Sequence, residues 1–416
     1  MTGDDLTRDP HEPHLFPPPL PDHEEGRDMS APPIAGETTS HYLKGRSEDP
    51  SVVYTTQQTR TYPCKNCGAD LFFDPSTQQL GCKSCGSSIA FASEPPRPLV
   101  KHDIEPALAA LHHQQRQQDD APSFDKEIVC QSCGGHTIFS GTLTATRCPY
   151  CNVAIQREDI GSAPTRLAID GIIPLQVDEK QSLILIEKWI NSRLFAPNAF
   201  KKHRQLGSFT SIYLPYYSYD SATTTHYSGM RGIHRTEYYQ VDGKTQSRIV
   251  TDWYPASGVV RNEFTNVTSH ASSGLDDDKL TELEPWPLEN IHPYSAHFTA
   301  GHLSRTYDHE PDVVFEQLTR PRLESVIEDT IRDDIGGDCQ QIDSQSTTWH
   351  FLTFAHLLLP VWMLTVTFAG KPYNVLINGV TGEVQGQRPW SWIKITAAVI
   401  AVCIAIALIY FFISHE

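Results

Sequence analysis

The sequence predicts a multidomain chain of two small β zinc ribbons, an α+β domain with mainly antiparallel sheet, and one C-terminal transmembrane helix. Three observations carry this reading. Eight of the ten cysteines fall into two copies of one spacing, short alternating apolar runs recur between residues 165 and 388, and an uncharged apolar run stands near the C-terminus.

The first 50 of the 416 residues hold eleven Asp or Glu and nine Pro with few large apolar side chains. Residues 1–58 are therefore expected to form a disordered, acidic, Pro-rich tail. Cys64-Lys-Asn-Cys67 is then followed by Cys82-Lys-Ser-Cys85, and Cys130-Gln-Ser-Cys133 by Cys148-Pro-Tyr-Cys151. The gap from Cys67 to Cys82 equals the gap from Cys133 to Cys148. Every cysteine of the first set recurs in the second at one constant offset, so the pattern is an internal repeat. Two thiolates three positions apart on a tight turn can share one metal ion. A second such turn, brought across a short hairpin, completes a tetrahedron with Zn–S near 2.3 Å. Gly68, Gly86, Gly134 and Asn152 each follow the second cysteine of a pair. A left-handed residue there lets backbone N–H groups point at sulfur, and Gly and Asn tolerate that conformation best. Leu71–Phe73 and Thr137–Phe139 read as the ribbon strands. Structural disulfides would use the same residues in a secreted scaffold, but the N-terminus reads as no secretory signal. The expected metal set is Cys64, Cys67, Cys82 and Cys85 for one Zn2+, and Cys130, Cys133, Cys148 and Cys151 for a second. Ribbon 1 spans 60–93 and ribbon 2 spans 126–157. Between them lies a linker, 94–125, opened by Pro95-Pro96-Arg97-Pro98, with Ile104, Leu108 and Leu111 at helical spacing.

Residues 165–388 read as the α+β domain. Ile172–Leu175 looks like a strand. A helix follows from the N-cap Asp178 to Asn191, with Leu183, Ile186, Trp189 and Ile190 inward. Alternation over 212–227, 236–239, 248–253 and 259–267 predicts antiparallel strands, and Asp242-Gly243 is a hairpin signal. Residues 311–331 read as helix with Val314, Leu318, Leu323, Val326 and Ile327 inward, kinked or split at Pro321. Strands return at 361–368 and 373–377, with turns at Asn378-Gly379 and Thr381-Gly382.

The span assigned to the membrane is 393–413. Its residues from Ile395 to Ile413 carry no formal charge. At 1.5 Å per residue they give about 28 Å of helix, enough to cross a hydrocarbon core. Trp390, Trp392 and Tyr410 occupy interfacial positions, with Arg388 and Lys394 on the N-terminal side. The chain is thus expected to be tail-anchored in the cell membrane, single-pass, with its bulk in the reducing cytoplasm, where cysteine pairs serve as metal ligands.

Charge and motifs exclude several functions. The formal net charge is −17, and each four-thiolate zinc site adds about −2. A chain this acidic, without a basic stripe, makes a poor general nucleic-acid binder, because phosphate contacts need clustered Lys and Arg. No His-Glu-x-x-His occurs, and no Gly-x-Ser-x-Gly. Gly243-Lys244-Thr245 ends like a phosphate-binding loop, but Tyr238 stands where that motif needs its first glycine. Cys339 is a lone thiol with no histidine close in sequence. The aromatic stretch Tyr213–Asp220, leading into Gly229-Met-Arg231-Gly232, reads as core, with a ligand groove as the competing use and Asp220–Arg231 as a candidate buried pair.

With these residues the chain resembles a family of bacterial membrane-tethered double zinc-ribbon proteins of the transcription-factor-B type, often labelled after the primosomal helicase. The resemblance runs from Cys64 to the C-terminus. It rests on both ribbons, Tyr213–Asp220, Gly229–Gly232, His356-Leu-Leu-Leu-Pro-Val-Trp362, and Tyr373 through Gly382. Helicase activity does not carry over, since a motor needs a phosphate-cradling loop and an acidic magnesium motif. The expected function is a non-enzymatic, cytoplasm-facing scaffold or adaptor with an unknown protein partner. The competing reading is a membrane-recruited nucleic-acid-binding protein of replication or transcription. A third is an enzyme with its site between Tyr213 and Arg231.

Overall fold

The structure is a computed structural model that describes residues 63–118, 125–129, 136–140, 146–147, 154–155, 160–162, 166–203, 208–241, 243–369 and 371–414. The expected tail and Cys130, Cys133, Cys148 and Cys151 lie outside the described residues.

The first ribbon is a three-stranded antiparallel sheet of β1 (Leu71–Asp74), β2 (Gln79–Cys82) and β3 (Ser88–Ile89). With a side-chain period of two, Leu71 and Phe73 turn inward. Three short strands cannot bury a phenyl ring by themselves. Phe73 instead packs edge-on against Phe298, 5.5 Å away between ring centroids, and against Phe91 at 6.2 Å. The ribbon therefore shares the core of the large domain. So does the linker expected to space the ribbons. Its β4 (His102–Asp103) adds to the main sheet, and its α1 (Ile104–Gln118) buries Ile104, Leu108 and Leu111 in the apolar cluster that also holds Tyr217, Tyr219 and Phe354. Next come β5 (Asp125–Val129), β6 (His136–Ser140), β7 (Thr146–Arg147), β8 (Ala154–Ile155) and β9 (Ile160–Ser162). β5 lies between β6 and β9, and β7 pairs with β8, all antiparallel.

The large domain begins with β10 (Gly171–Ile172), α2 (Glu179–Ser192) and α3 (Asn198–His203). Asp178 caps α2 as expected, its Oδ1 accepting from the Gln181 N–H at 2.8 Å. Ser182, Ile186, Trp189 and Ile190 form the buried face. Leu183 lies one residue round the helix and is exposed, contrary to its assignment as inward.

Two long strands follow, β11 (Ser208–Val241) and β12 (Lys244–His270), joined at Gly243 with φ 74°. This is the hairpin that Asp242-Gly243 signals. The runs read as separate strands are continuous, because a bulge at Tyr219/Ser221 and the glycines at 229 and 232 interrupt the pattern without ending the ladder. Then come α4 (Asp277–Thr281), β13 (His292–Pro293), β14 (Leu303–Ser304), α5 (Pro311–Val314) and α6 (Arg320–Ile335). Pro321 occupies the first turn of α6, where its missing N–H costs little. The π-turn Phe315–Thr319 joins α5 to α6. Val314, Leu323 and Ile327 are buried, and Leu318 packs against their cluster, but Val326 is exposed.

The last strands are β15 (Cys339–Phe368), β16 (Lys371–Asn378) and β17 (Val384–Gly386). Among the described residues they complete a nine-stranded, mainly antiparallel sheet whose central order is β12-β11-β15-β10-β13. The last element is α7 (Trp392–Ser414), of which Trp392–Phe411 is long and apolar enough to cross a membrane and buries nothing against the protein. Lys394 Nζ ties its first turn to the domain, donating to the Ala196 carbonyl and to Asn198 Oδ1, both at 2.8 Å.

The aromatic stretch is core: Tyr213, Tyr216, Tyr217 and Tyr219 are all fully buried. Asp220 and Arg231 do not meet. Eleven residues of one extended strand put them about 36 Å apart, and Asp220 pairs instead with Lys101 at 3.0 Å.

Candidate metal centre

Both cysteine pairs of the first ribbon sit on the same backbone turn. The Cys64 N–H donates to the Ala69 carbonyl at 2.7 Å, and the Gly68 N–H returns to Cys64 O at 2.8 Å. In the second turn, Cys82 N–H donates to Ser87 O at 2.8 Å and Gly86 N–H to Cys82 O at 2.9 Å. Gly68 and Gly86 have φ of 74° and 72°, with nothing near the position a Cβ would take. Their requirement is conformational, as the sequence implies. β1 and β2 carry the two turns to one end of the hairpin, and the four sulfurs converge.

All four Sγ atoms lie within 4.8 Å of one another. Cys64 and Cys85 are 3.6 Å apart, and Cys67 and Cys82 are 3.5 Å apart. Ligands at 2.3 Å on a tetrahedron stand about 3.8 Å apart, so the cluster could hold a metal ion with little rearrangement. Cys64 and Cys82 are buried against the domain, whereas Cys67 and Cys85 face outward. The Ser87 hydroxyl reaches Cys64 Sγ at 3.2 Å and Cys85 Sγ at 3.1 Å. That hydroxyl, helped by backbone N–H groups, brings the Cys64 thiol down to about 6 and lowers Cys85 as well. The Ala69 N–H favours a thiolate at Cys67, but contact with Cys82 and its neighbours outweighs it and pushes the group up to about 12. Four sulfurs this close cannot all ionise without a cation between them. Sequence reading missed Ser87; its signal is a hydroxyl residue two places after a knuckle cysteine.

The other four cysteines lie outside the described residues, but the strands that bracket them do not. Each Cys-x-x-Cys is enclosed by a paired couple of residues seven positions apart. The pairs are Pro63 with Asp70, Gly81 with Ser88, Val129 with His136, and Arg147 with Ala154. In every case the first cysteine follows the first paired residue directly.

The remaining candidates separate. Cys339 Sγ has a histidine close in space, with His234 Nε2 at 3.9 Å. The neighbourhood of Asp220 borders a cavity of about 670 Å3, walled by Pro96–Leu99, Asn266 and Trp286. Its polar floor is already committed. Lys101 Nζ donates to Ser218 O at 2.9 Å, to Ser218 Oγ at 2.7 Å and to Asp220 Oδ1 at 3.0 Å.

Fold and site define a mainly antiparallel sheet protein with a four-cysteine, metal-competent ribbon built into it and one apolar C-terminal helix. The chain is 25% identical over 339 residues, 81% of its own length and 92% of the relative's, to the uncharacterized protein YdjG of Bacillus subtilis (strain 168). No family model and no solved structure matches it.

Proposed function

We propose that the chain is a zinc-ribbon scaffold or adaptor held in the cell membrane by α7, with its bulk in the cytoplasm. It groups with the membrane-tethered double zinc-ribbon proteins that its motifs resemble. One Zn2+ is held by Cys64, Cys67, Cys82 and Cys85, the second by Cys130, Cys133, Cys148 and Cys151. The observation that carries this reading is the common seven-residue enclosure of all four Cys-x-x-Cys turns. The same enclosure around each turn supports reading the second set as a site of the same kind. A site with four protein thiolates is closed, leaving no position for substrate. Its contribution is folding free energy rather than chemistry. The first site ties together the two turns of the β1–β3 ribbon, whose Phe73 seats it against Phe298, and the sheet domain offers the larger surface for a partner.

Crosslinking and affinity purification from membranes, with intact protein and with a Cys64→Ser, Cys130→Ser variant, tests the adaptor role. Loss of captured partners in the variant is expected. An unchanged set of partners would limit the ribbons to stabilising the fold.

A further inference from the structure

Beyond Gly232, which pairs with the first residue of β15, β11 and β12 continue as a two-stranded arm with no third strand beside them among the described residues. Residues directly opposite on antiparallel strands share a face, so the register sorts the side chains of the hairpin into two sets. One set holds Arg231, Arg235, Glu237, Lys244, Arg248 and Asp252. Its charges are laced together by Arg235–Asp252 and Arg248–Glu237, each 2.7 Å long. Toward the base of the arm this face is covered by α6: a Cβ on Gly258 would meet Asp334, and one on Gly229 would meet Ile335.

The other face is different in kind. It comprises the even-numbered residues of 226–240 on β11 and their partners, the odd-numbered residues of 245–259 on β12, and none of them is Asp, Glu, Lys or Arg; the next pair toward the base, Thr224 with the exposed Arg261, ends the uncharged stretch. Tyr238 and Ile249 are 71% and 72% exposed there, and Trp253 is 43% exposed with its ring over Gly232. On a chain of net charge −17, a solvent-facing surface of this length without one acidic or basic side chain needs an occupant. An isolated two-stranded ribbon is marginally stable in water, and exposed apolar groups in a patch mark an interaction site.

We propose that this face packs against the same face of a second copy of the chain, through a two-fold axis that lies between the two sheets and parallel to them. Charge selects the occupant. Nucleic acid and anionic lipid headgroups require clustered cations, whereas the one cation bordering this face is Arg261 at its base, and a charged protein patch would find little to complement. Two copies of an uncharged face meet without the like-charge repulsion that so acidic a chain meets elsewhere. Area agrees. About fifteen residues at about 3.3 Å, across two to three strands, give several hundred Å2, toward the roughly 800 Å2 each partner contributes to a standard interface. Sheets packed face to face sit about 10 Å apart, which suits interdigitation of Tyr238, Ile249 and Trp253. The proposal does not depend on the metal sites, and anchoring in one bilayer would only raise the effective concentration.

The test is the mass of the full chain in detergent or nanodiscs, measured by light scattering. Wild type is expected at two chains. Ile249→Glu and Tyr238→Lys, both at exposed positions, are expected at one chain while keeping a cooperative thermal transition. Tyr254→Glu, on the charged face and 51% exposed, is expected to stay at two. A one-chain wild type, a two-chain mass in all variants, or the same loss in Tyr254→Glu would each overturn the proposal.

Discussion

His302 Nε2 donates to the Phe73 carbonyl at 2.9 Å while its Nδ1 accepts from the Ser211 hydroxyl at 2.6 Å, so one buried imidazole joins the cysteine ribbon to β11. Both ring nitrogens are satisfied in the neutral ring. Burial accordingly holds this histidine below its ordinary pKa. The Phe73 N–H completes the seam, donating to Ala300 O at 2.8 Å.

His302→Leu should orphan the Phe73 carbonyl and the Ser211 hydroxyl, at about 1–3 kcal/mol for each buried group. Phe73→Ala should cost about 3–5 kcal/mol through the cavity it leaves. Urea unfolding midpoints measure both. Changes within about 0.5 kcal/mol, the scale of ordinary surface substitutions, would mean that the ribbon is not seated on the domain.

Gly301 has φ 74°, and a Cβ there would stand 2.6 Å from Phe72 Cβ. Gly301→Ala should therefore lose about 1–3 kcal/mol, from left-handed strain and from pushing the ribbon off the sheet. Limited proteolysis within residues 63–93 should accelerate in this variant. Wild-type cleavage rates would count against the contact.

His102 and Asp170 give the opposite pH behaviour to His302. His102 Nε2 lies 2.9 Å from Asp170 Oδ1, and that bond raises its pKa despite burial. Stability from this pair is fully present below the unfolded pKa of about 6.5 and fades as pH rises through the raised folded value. His102→Gln should thus destabilise more at pH 6 than at pH 9. His302 resists protonation, so its contribution is present above about 6.5 and is lost as pH falls through its lowered value. His302→Leu should consequently cost more at pH 8 than at pH 5. Equal penalties across pH for either variant would contradict these assignments. Thermal melts of each variant against wild type supply the comparison.

Local signals were readable in the sequence and long-range ones were not. Cys64, Cys67, Cys82 and Cys85, with Gly68 and Gly86 behind them, announce the knuckles because the chemistry is contained in a few neighbouring residues. Asp178 as cap and Gly243 as turn are equally local. What escaped prediction is docking. Ile104, Leu108 and Leu111 give a helix, but nothing in that spacing says that it joins the cluster of Tyr217, Tyr219 and Phe354. Phe73 reads as a ribbon strand residue, and its burial against Phe298 depends on a segment far along the chain. The separate alternating runs hid two continuous strands of 34 and 27 residues, since glycines and a bulge break a pattern that cross-strand pairing preserves.

The central claim, the proposed pair of four-thiolate zinc sites, is tested most directly by elemental analysis of purified full-length protein. Two zinc ions per chain are expected, falling to one in Cys64→Ser, Cys67→Ser and to one in Cys130→Ser, Cys133→Ser. Protein that folds with no bound zinc, or whose zinc content is unchanged by either pair of substitutions, would contradict it.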